Sequence, residues 1–261
     1  MKTMFDYQEI AKQARIKVLE LIYKAQTSHI GSNFSAIDIM TVLFDKVDMN
    51  KDEVILSAGW KAAAWYYFLW KKGIITEEEL NSFCQEILCP ACKGKMFFAP
   101  VIDMTTHIRL KDCVKCEGAG FVQSKFIGLT EPMNRWGLRF AGGSMGMGLP
   151  AAVGFALSKK LKGEDGKVYV LMSDGELQCG TTWESYLIAK QHKLNNLVVI
   201  VDGNKKQAMG DIQDILPAPF YWVNVSINGH NHEEIEEAIK KWNWIYAHTI
   251  KGKGVSFMEN Q

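Results

Sequence analysis

Val168-Tyr169-Val170-Leu171-Met172-Ser173-Asp174-Gly175-Glu176 and Leu197-Val198-Val199-Ile200-Val201-Asp202-Gly203-Asn204 decide how this chain is read. Each opens on a short apolar run, Val168 to Met172 and Leu197 to Val201, that fits a strand buried on both faces of a parallel sheet. Thr181 to His192 between them reads as a helix, which makes a βαβ unit. If the two strands are neighbours, Asp174 and Asn204 emerge side by side at their carboxyl ends, where open α/β sheets bind ligands. One carboxylate and one amide oxygen facing one point suit Mg²⁺ or Ca²⁺, whose other positions go to water and phosphate oxygens. Asp-Gly and Gly-Asn are also ordinary turn formers, so the pair gains meaning only from what surrounds it.

Outward from this unit the period of the apolar residues changes element by element. Ile10, Ala14, Val18, Leu21, Ile22 and Ala25 recur at helical spacing within Tyr7 to Gln26, and Ser28-His29-Ile30-Gly31 then reads as a loop. Ser35 with Asp38 reads as a capping box opening a helix through Phe44, and Thr76 with Glu79 caps another that runs toward Phe83. Val54 to Leu56 is a short strand. Ala62 to Trp70 is apolar all round, so as a helix it needs cover on several sides, from its own core or from a partner chain. Gly142-Gly143-Ser144-Met145-Gly146-Met147-Gly148 precedes a helix from Leu149 to Leu161, with Pro150 tolerated in its first turn. Glycines let a backbone approach a ligand, and a helix start aims free amides at diphosphate oxygens, though close packing uses glycine too. Val223 to Ile227 and Trp244 to Thr249 read as strands flanking a helix from Glu233 to Trp242. The expected fold is α/β, a parallel sheet with helices on both faces, forming one domain over 1–261 with a small inserted segment at 84–125.

The insertion carries Cys89-Pro90-Ala91-Cys92 and Cys113-Val114-Lys115-Cys116. Two C-x-x-C pairs at this separation have the spacing of a zinc ribbon, in which four thiolates close a tetrahedral, structural Zn²⁺ site. A chain of 261 residues, 48% apolar, has ample material for one core. Its formal charge of +1 without a basic block favours neither nucleic acid nor an anionic membrane as partner. No apolar run is long enough to span a bilayer and the start lacks a signal-peptide core, so a cytoplasmic protein is expected.

Met172 to Gly210 resembles the thiamine-diphosphate signature of transketolases. Ser28-His29-Ile30-Gly31, Asp52 to Ser57, Gly142 to Gly148 and His248-Thr249-Ile250-Lys251-Gly252-Lys253-Gly254 match the same family in the same order. The chain is similar to the amino-terminal third of a full-length transketolase, and so to half of a split enzyme. That resemblance implies thiamine diphosphate with Mg²⁺ (or Ca²⁺), held between this diphosphate-binding domain and a carboxyl-terminal, pyrimidine-binding subunit in an α₂β₂ assembly. It implies Asp174 and Asn204 side chains and the Lys206 carbonyl as metal ligands. Gly143, Ser144, Met145, Gly175 and Glu176 would contact the cofactor, beside Asp174 and Asn204. His248 is read chiefly as structural support, with a cofactor contact as its other reading. His29 would serve proton transfer or substrate contact, as a loop imidazole can near neutral pH.

Departures from the family pattern concern the pocket above the cofactor. Trp60 stands where a substrate-facing histidine is usual, and Gly128-Leu129-Thr130-Glu131 lacks a second one. Cys179 and Arg139 each replace a frequent glutamate. Trp60 would suit stacking on a sugar or base, or simple core packing. The activity implied is transfer of a two-carbon ketol unit from a ketose to an aldose or to a modified or nucleotide-linked sugar acceptor. Its alternatives are another thiamine-diphosphate-dependent carboligase or decarboxylase subunit, or a non-catalytic scaffold subunit.

Overall fold

In this computed structural model, which describes residues 3–95, 97–102, 108–113, 115–117, 119–140, 142–207, 210 and 223–260, β1 (Glu53–Leu56), β6 (Val168–Ser173), β7 (Leu197–Gly203), β8 (Val225–Asn228) and β9 (Trp244–His248) form one sheet. Its order is β1-β6-β7-β9-β8, every pair parallel. The end of the family-like stretch at Ala208 and Met209 lies outside the described residues. β6 and β7 are direct neighbours with Ser173 opposite Asp202, so the expected βαβ unit is present, its helix α6 running Gly180–Gln191.

Strand alternation sorts the central residues onto two cores. Val168, Val170 and Met172 with Leu197, Val199 and Val201 face α5 (Gly148–Lys162) and α6. Tyr169, Leu171, Val198 and Ile200 face α1 (Met4–Ala25), α2 (Ile30–Lys46), α3 (Ala62–Lys71) and α7 (His232–Lys241). Helices therefore cover both faces, as the continuous apolar strands require. The all-apolar α3 is covered by its own chain: Ala62 to Leu69 are buried, packed on α1 and α2, with Trp65 donating its indole N–H to the Gly137 carbonyl at 2.8 Å.

Several boundaries differ from the sequence reading; α1 starts three residues early, at Met4, and Ile30 and Gly31, read as loop, are helical. The Ser35–Asp38 capping box does not form, because α2 starts at Ile30 with His29 as its N-cap and runs through both residues. Ser35 is fully buried mid-helix and donates to Asp202, while Asp38 is held by Arg15, His230 and His232. Burial among partners from other elements overrides the local capping signal. β8 starts at Val225, two residues later than expected. The capping box at Thr76 and Glu79 does form, opening α4 (Glu77–Asn81).

Between α4 and the glycine-rich loop lie two small antiparallel ladders. β2 (Glu86–Leu88) pairs with β5 (Phe121–Gln123), and β3 (Phe97–Ile102) with β4 (Ile108–Asp112).

Candidate active site

A cavity of about 760 Å³ opens at the carboxyl ends of β6 and β7. Its wall brings together His29, Met145, Asp174, Gly175, Asn204 and Lys206 of the expected residues, joined by Trp60, Lys251, Gln178 and Gln207. Adjacent strands put Asp174 and Asn204 there, because each is the first residue beyond its strand, after Ser173 of β6 and Gly203 of β7. The Asp174 carboxyl is almost wholly buried and accepts from the Gly175 amide at 2.9 Å and the Lys205 amide at 2.6 Å. Burial and the nearby Asp202 charge push its pKa up to about 6, against the lowering effect of those amides and Lys61. Asn204 accepts at Oδ1 from the Lys206 amide at 3.1 Å and directs Nδ2 toward Ser35 and Asp202.

Beneath Asn204 lies a polar knot that pattern reading missed. Lys61, fully buried, donates from Nζ to Asp202 at 2.6 Å and to the Ser32 carbonyl at 3.1 Å. Asp202 also accepts from Ser35 Oγ at 2.6 Å and from Thr249 Oγ1. Three buried carboxylates, Asp174, Asp202 and Glu176, thus lie near one buried ammonium already bonded to Asp202. Of the two left without that bond, Asp174 is the one that lines the cavity, which is where a divalent cation fits. Period-two alternation puts Asp202 and Asn204 on the same face, a signal that could have found Asp202. Lys61 offered none, since it sits at the start of an otherwise apolar helix.

At the start of the glycine-rich loop, Gly142 is packed against the backbone of other segments. A Cβ on Gly142 would stand 2.2 Å from the Leu56 carbonyl oxygen, and one on Gly59 would stand 1.4 Å from that of Gly142. Here glycine permits backbone-on-backbone packing, the alternative use of the residue. The first α5 amide, on Gly148, is not free for a ligand either: it donates to Ser57 Oγ at 3.1 Å, and Pro150 has no N–H to offer. Ser57 Oγ bonds in turn to Glu176, whose fully buried carboxylate also accepts from the Gly146 amide at 3.1 Å and the Ser173 amide at 2.8 Å. The Glu176 side chain is therefore a brace between three segments and does not reach the cavity wall. Gly143 and Ser144 are not on that wall, while Met145 is. The helix start that does border the cavity is that of α2, at His29 to Ser32.

His29 occupies a left-handed backbone position (φ 72°) on the wall, and burial, then the charges of Lys61 and Lys251, lower its pKa. It is a neutral imidazole, able to accept or donate a proton. His248 lies apart, at the end of β9, with Nε2 2.7 Å from Ser226 Oγ. Trp60 belongs to the wall, which removes the core-packing reading. Arg139 pairs with Glu53 at the surface, and Cys179 packs against the Gly146 turn. His230 and His232 pair with Asp38 at 2.7 and 3.1 Å.

Cys89, Cys92, Cys113 and Cys116 converge, all buried, with their sulfurs within 4.8 Å of one another. Such a cluster could bind a metal ion.

A family model described as transketolase, thiamine diphosphate binding domain, matches residues 120–248. Among curated relatives, one of the subunits of the apulose-4-phosphate transketolase of Phocaeicola vulgatus is 26% identical over 95% of this chain and 84% of its own length. The 6-deoxy-6-sulfo-D-fructose transketolase subunit SqwG of a Clostridium species is 28% identical over 98% of this chain and 89% of its own. Human transketolase is 28% identical over 97% of this chain, which spans only 38% of that protein. The crystal structure of Campylobacter jejuni transketolase superposes with a TM-score of 0.73 at 25% identity, covering 99% of this chain and 40% of its own. That of Leishmania mexicana transketolase reaches the same TM-score at 19% identity, a likeness of fold.

Proposed function

We propose that the chain, similar to transketolases in their thiamine-diphosphate-binding part, belongs to that family and is the diphosphate-binding subunit of a two-subunit, Mg²⁺-dependent enzyme that moves a two-carbon ketol unit from a ketose to a sugar acceptor. The observation that carries the reading is the buried Asp174 carboxylate, without the Lys61 bond, on one cavity with Asn204. Asp174, Asn204 and the Lys206 carbonyl would hold Mg²⁺ (Ca²⁺ as alternative), and the ion would bind the diphosphate. Gly143, Ser144, Met145 and the backbone amides of Gly175 and Glu176 are the further cofactor contacts in this reading, with the Glu176 side chain as a brace and His248 in support. The Lys251 ammonium on the cavity wall supplies positive charge for the same phosphates.

Thiamine diphosphate supplies the electron sink for cleavage and formation of the carbon–carbon bond. What this chain adds is binding, orientation and proton handling. The neutral His29 can pass a proton to or from a substrate oxygen, and Trp60, Met145 and Phe257 give the cavity apolar surfaces that exclude water.

Relatives named as transketolase subunits favour a separate second polypeptide, here taken as carboxyl-terminal and pyrimidine-binding in an α₂β₂ assembly. Their names cite a phosphorylated apulose and a sulfonated sugar, so the acceptor or donor here is taken to be a modified sugar that stacks on Trp60. No helix among the described residues is long and apolar enough to cross a membrane, and a cytoplasmic setting suits the reduced cysteines of the reading. Those four cysteines are the ligands of one structural Zn²⁺ in a ribbon over 84–125.

Co-expression with the chain encoded beside it, followed by calorimetry with thiamine diphosphate and Mg²⁺ and assay against a panel of ketose donors, tests the reading. Binding and aldehyde transfer by the pair are expected. Carbon dioxide release instead would point to a decarboxylase, and no cofactor binding to a scaffold. Full turnover by this chain alone would refute the two-subunit reading.

A further inference from the structure

The ribbon contributes none of the described cavity wall, yet the segment that follows it, at Thr130, bonds to the glycine-rich loop. Cys89 and Cys113 sulfurs lie 3.7 Å apart and Cys92 and Cys116 sulfurs 3.6 Å. A tetrahedron with metal–sulfur bonds of about 2.3 Å has edges of about 3.8 Å, so these spacings fit a closed Zn²⁺ shell. Each C-x-x-C is followed by a residue in the left-handed region, Lys93 (φ 50°) and Glu117 (φ 50°), which turns the backbone around the sulfurs. The Gly120 amide donates to Cys116 Sγ at 3.3 Å.

Among the described residues, Val122 is the apolar side chain packed on the cysteines; β2 and β5 contribute three residues each, with Leu88 and Phe121 exposed, and the β3–β4 hairpin lies between the two C-x-x-C pairs. Strands so short do not pair stably alone, so metal binding supplies their folding free energy. Their pairing continues into the body: the Cys84 amide donates to the Phe126 carbonyl at 2.8 Å and the Ser124 amide to that of Gln85 at 2.9 Å. Phe126 then packs edge-on against Tyr66, ring centres 5.2 Å apart. Shortly beyond, buried Thr130 accepts from the Gly142 amide at 3.0 Å, and Leu129 stands 3.5 Å from where a Gly143 Cβ would lie. Met145 of the same loop reaches the cavity wall.

We propose that zinc held by Cys89, Cys92, Cys113 and Cys116 sets the affinity of the cavity for its diphosphate ligand, by fixing the segment from β5 to Thr130 against the glycine-rich loop. This rests on the zinc and cofactor readings given above. Zinc acts from outside the cavity and touches no substrate; Thr130 is the positioning residue through which it acts.

The test uses the complex of this chain with its partner subunit. Metal analysis of the wild-type complex comes first, and thiamine diphosphate affinity at saturating Mg²⁺ second. A complex without zinc overturns the zinc reading and this inference with it; a zinc-loaded complex that binds no thiamine diphosphate overturns the cofactor reading and this inference with it. With both in hand, Cys113→Ser/Cys116→Ser is expected to lose zinc and bind the cofactor about tenfold more weakly, the scale of one lost hydrogen bond. Thr130→Val should keep its zinc and show a similar loss. Combined, the changes should cost no more than either alone, and hydrogen exchange should rise at Gly142 to Met145 in each. Wild-type affinity in the cysteine variant, or in Thr130→Val if the cysteine variant does not fold, overturns the proposal.

Discussion

Asp174 is the residue on which the electrostatics of the cavity turn. In the metal-free protein its pKa of about 6 lies above the unfolded carboxylate value of about 3.9. Its contribution to stability is therefore complete below pH 4 or so and is lost as pH rises through 6. Relative to Asp174→Asn, the metal-free wild type should gain about 2 kcal/mol between pH 7.5 and pH 4 in urea titrations. Mg²⁺ should raise wild-type stability more at pH 7.5 than at pH 5, because protons compete for the same oxygens; equal shifts at both would remove Asp174 from the ligand set. Lys61 is the counterpart below. Lys61→Met leaves Asp202 buried without its ammonium and should cost about 3–5 kcal/mol, much of it recovered in Lys61→Met/Asp202→Asn. A denaturation series that shows no recovery would mean that the pair is held by something other than charge. Asp174 and Asn204 were legible as residues because each ends an apolar run. Lys61 was not, since a buried ammonium is defined only by a carboxylate far along the chain.

The glycine-rich loop shows how an element can be read correctly in place and differently in purpose. Its position before α5 follows from sequence, but Gly142 and Gly148 serve contact with the end of β1 and the turns at Ser57 and Gly59. Gly59→Ala should move the loop or unfold the region, since no rotamer relieves a clash with a carbonyl oxygen 1.4 Å away. A melting temperature within about 2 °C of wild type would contradict that packing, given that 1 kcal/mol corresponds to roughly 2–4 °C at this chain length. α2 carries the converse lesson. Ser35 and Asp38 have capping spacing, yet both are spent on tertiary partners, and the helix begins at His29, whose left-handed backbone no propensity rule announces. That earlier start is what borders the cavity.

For the whole molecule, apolar side chains on α6 and in the glycine-rich loop remain in water. Leu187 and Ile188 on α6, and Met145 and Met147 beside its start, are each 44–65% exposed. In the two-subunit reading the partner covers them, so hydrogen exchange along α6 and Met145 to Met147 should slow when the partner is added; unchanged exchange would place the interface elsewhere. What the sequence determined by itself is the order of elements, the parallel sheet, the pairing of Asp174 with Asn204 and the four-cysteine insertion. Those depend on local period, on strand ends and on short spacings, which the chain carries in one dimension. What only the tertiary structure decided is how charge and backbone meet: Lys61 on Asp202, Ser57 on Glu176, Thr130 on Gly142, His230 and His232 on Asp38. Each joins segments distant along the chain, and a buried polar group acquires its partner, and with it its meaning, only when folding removes water from both.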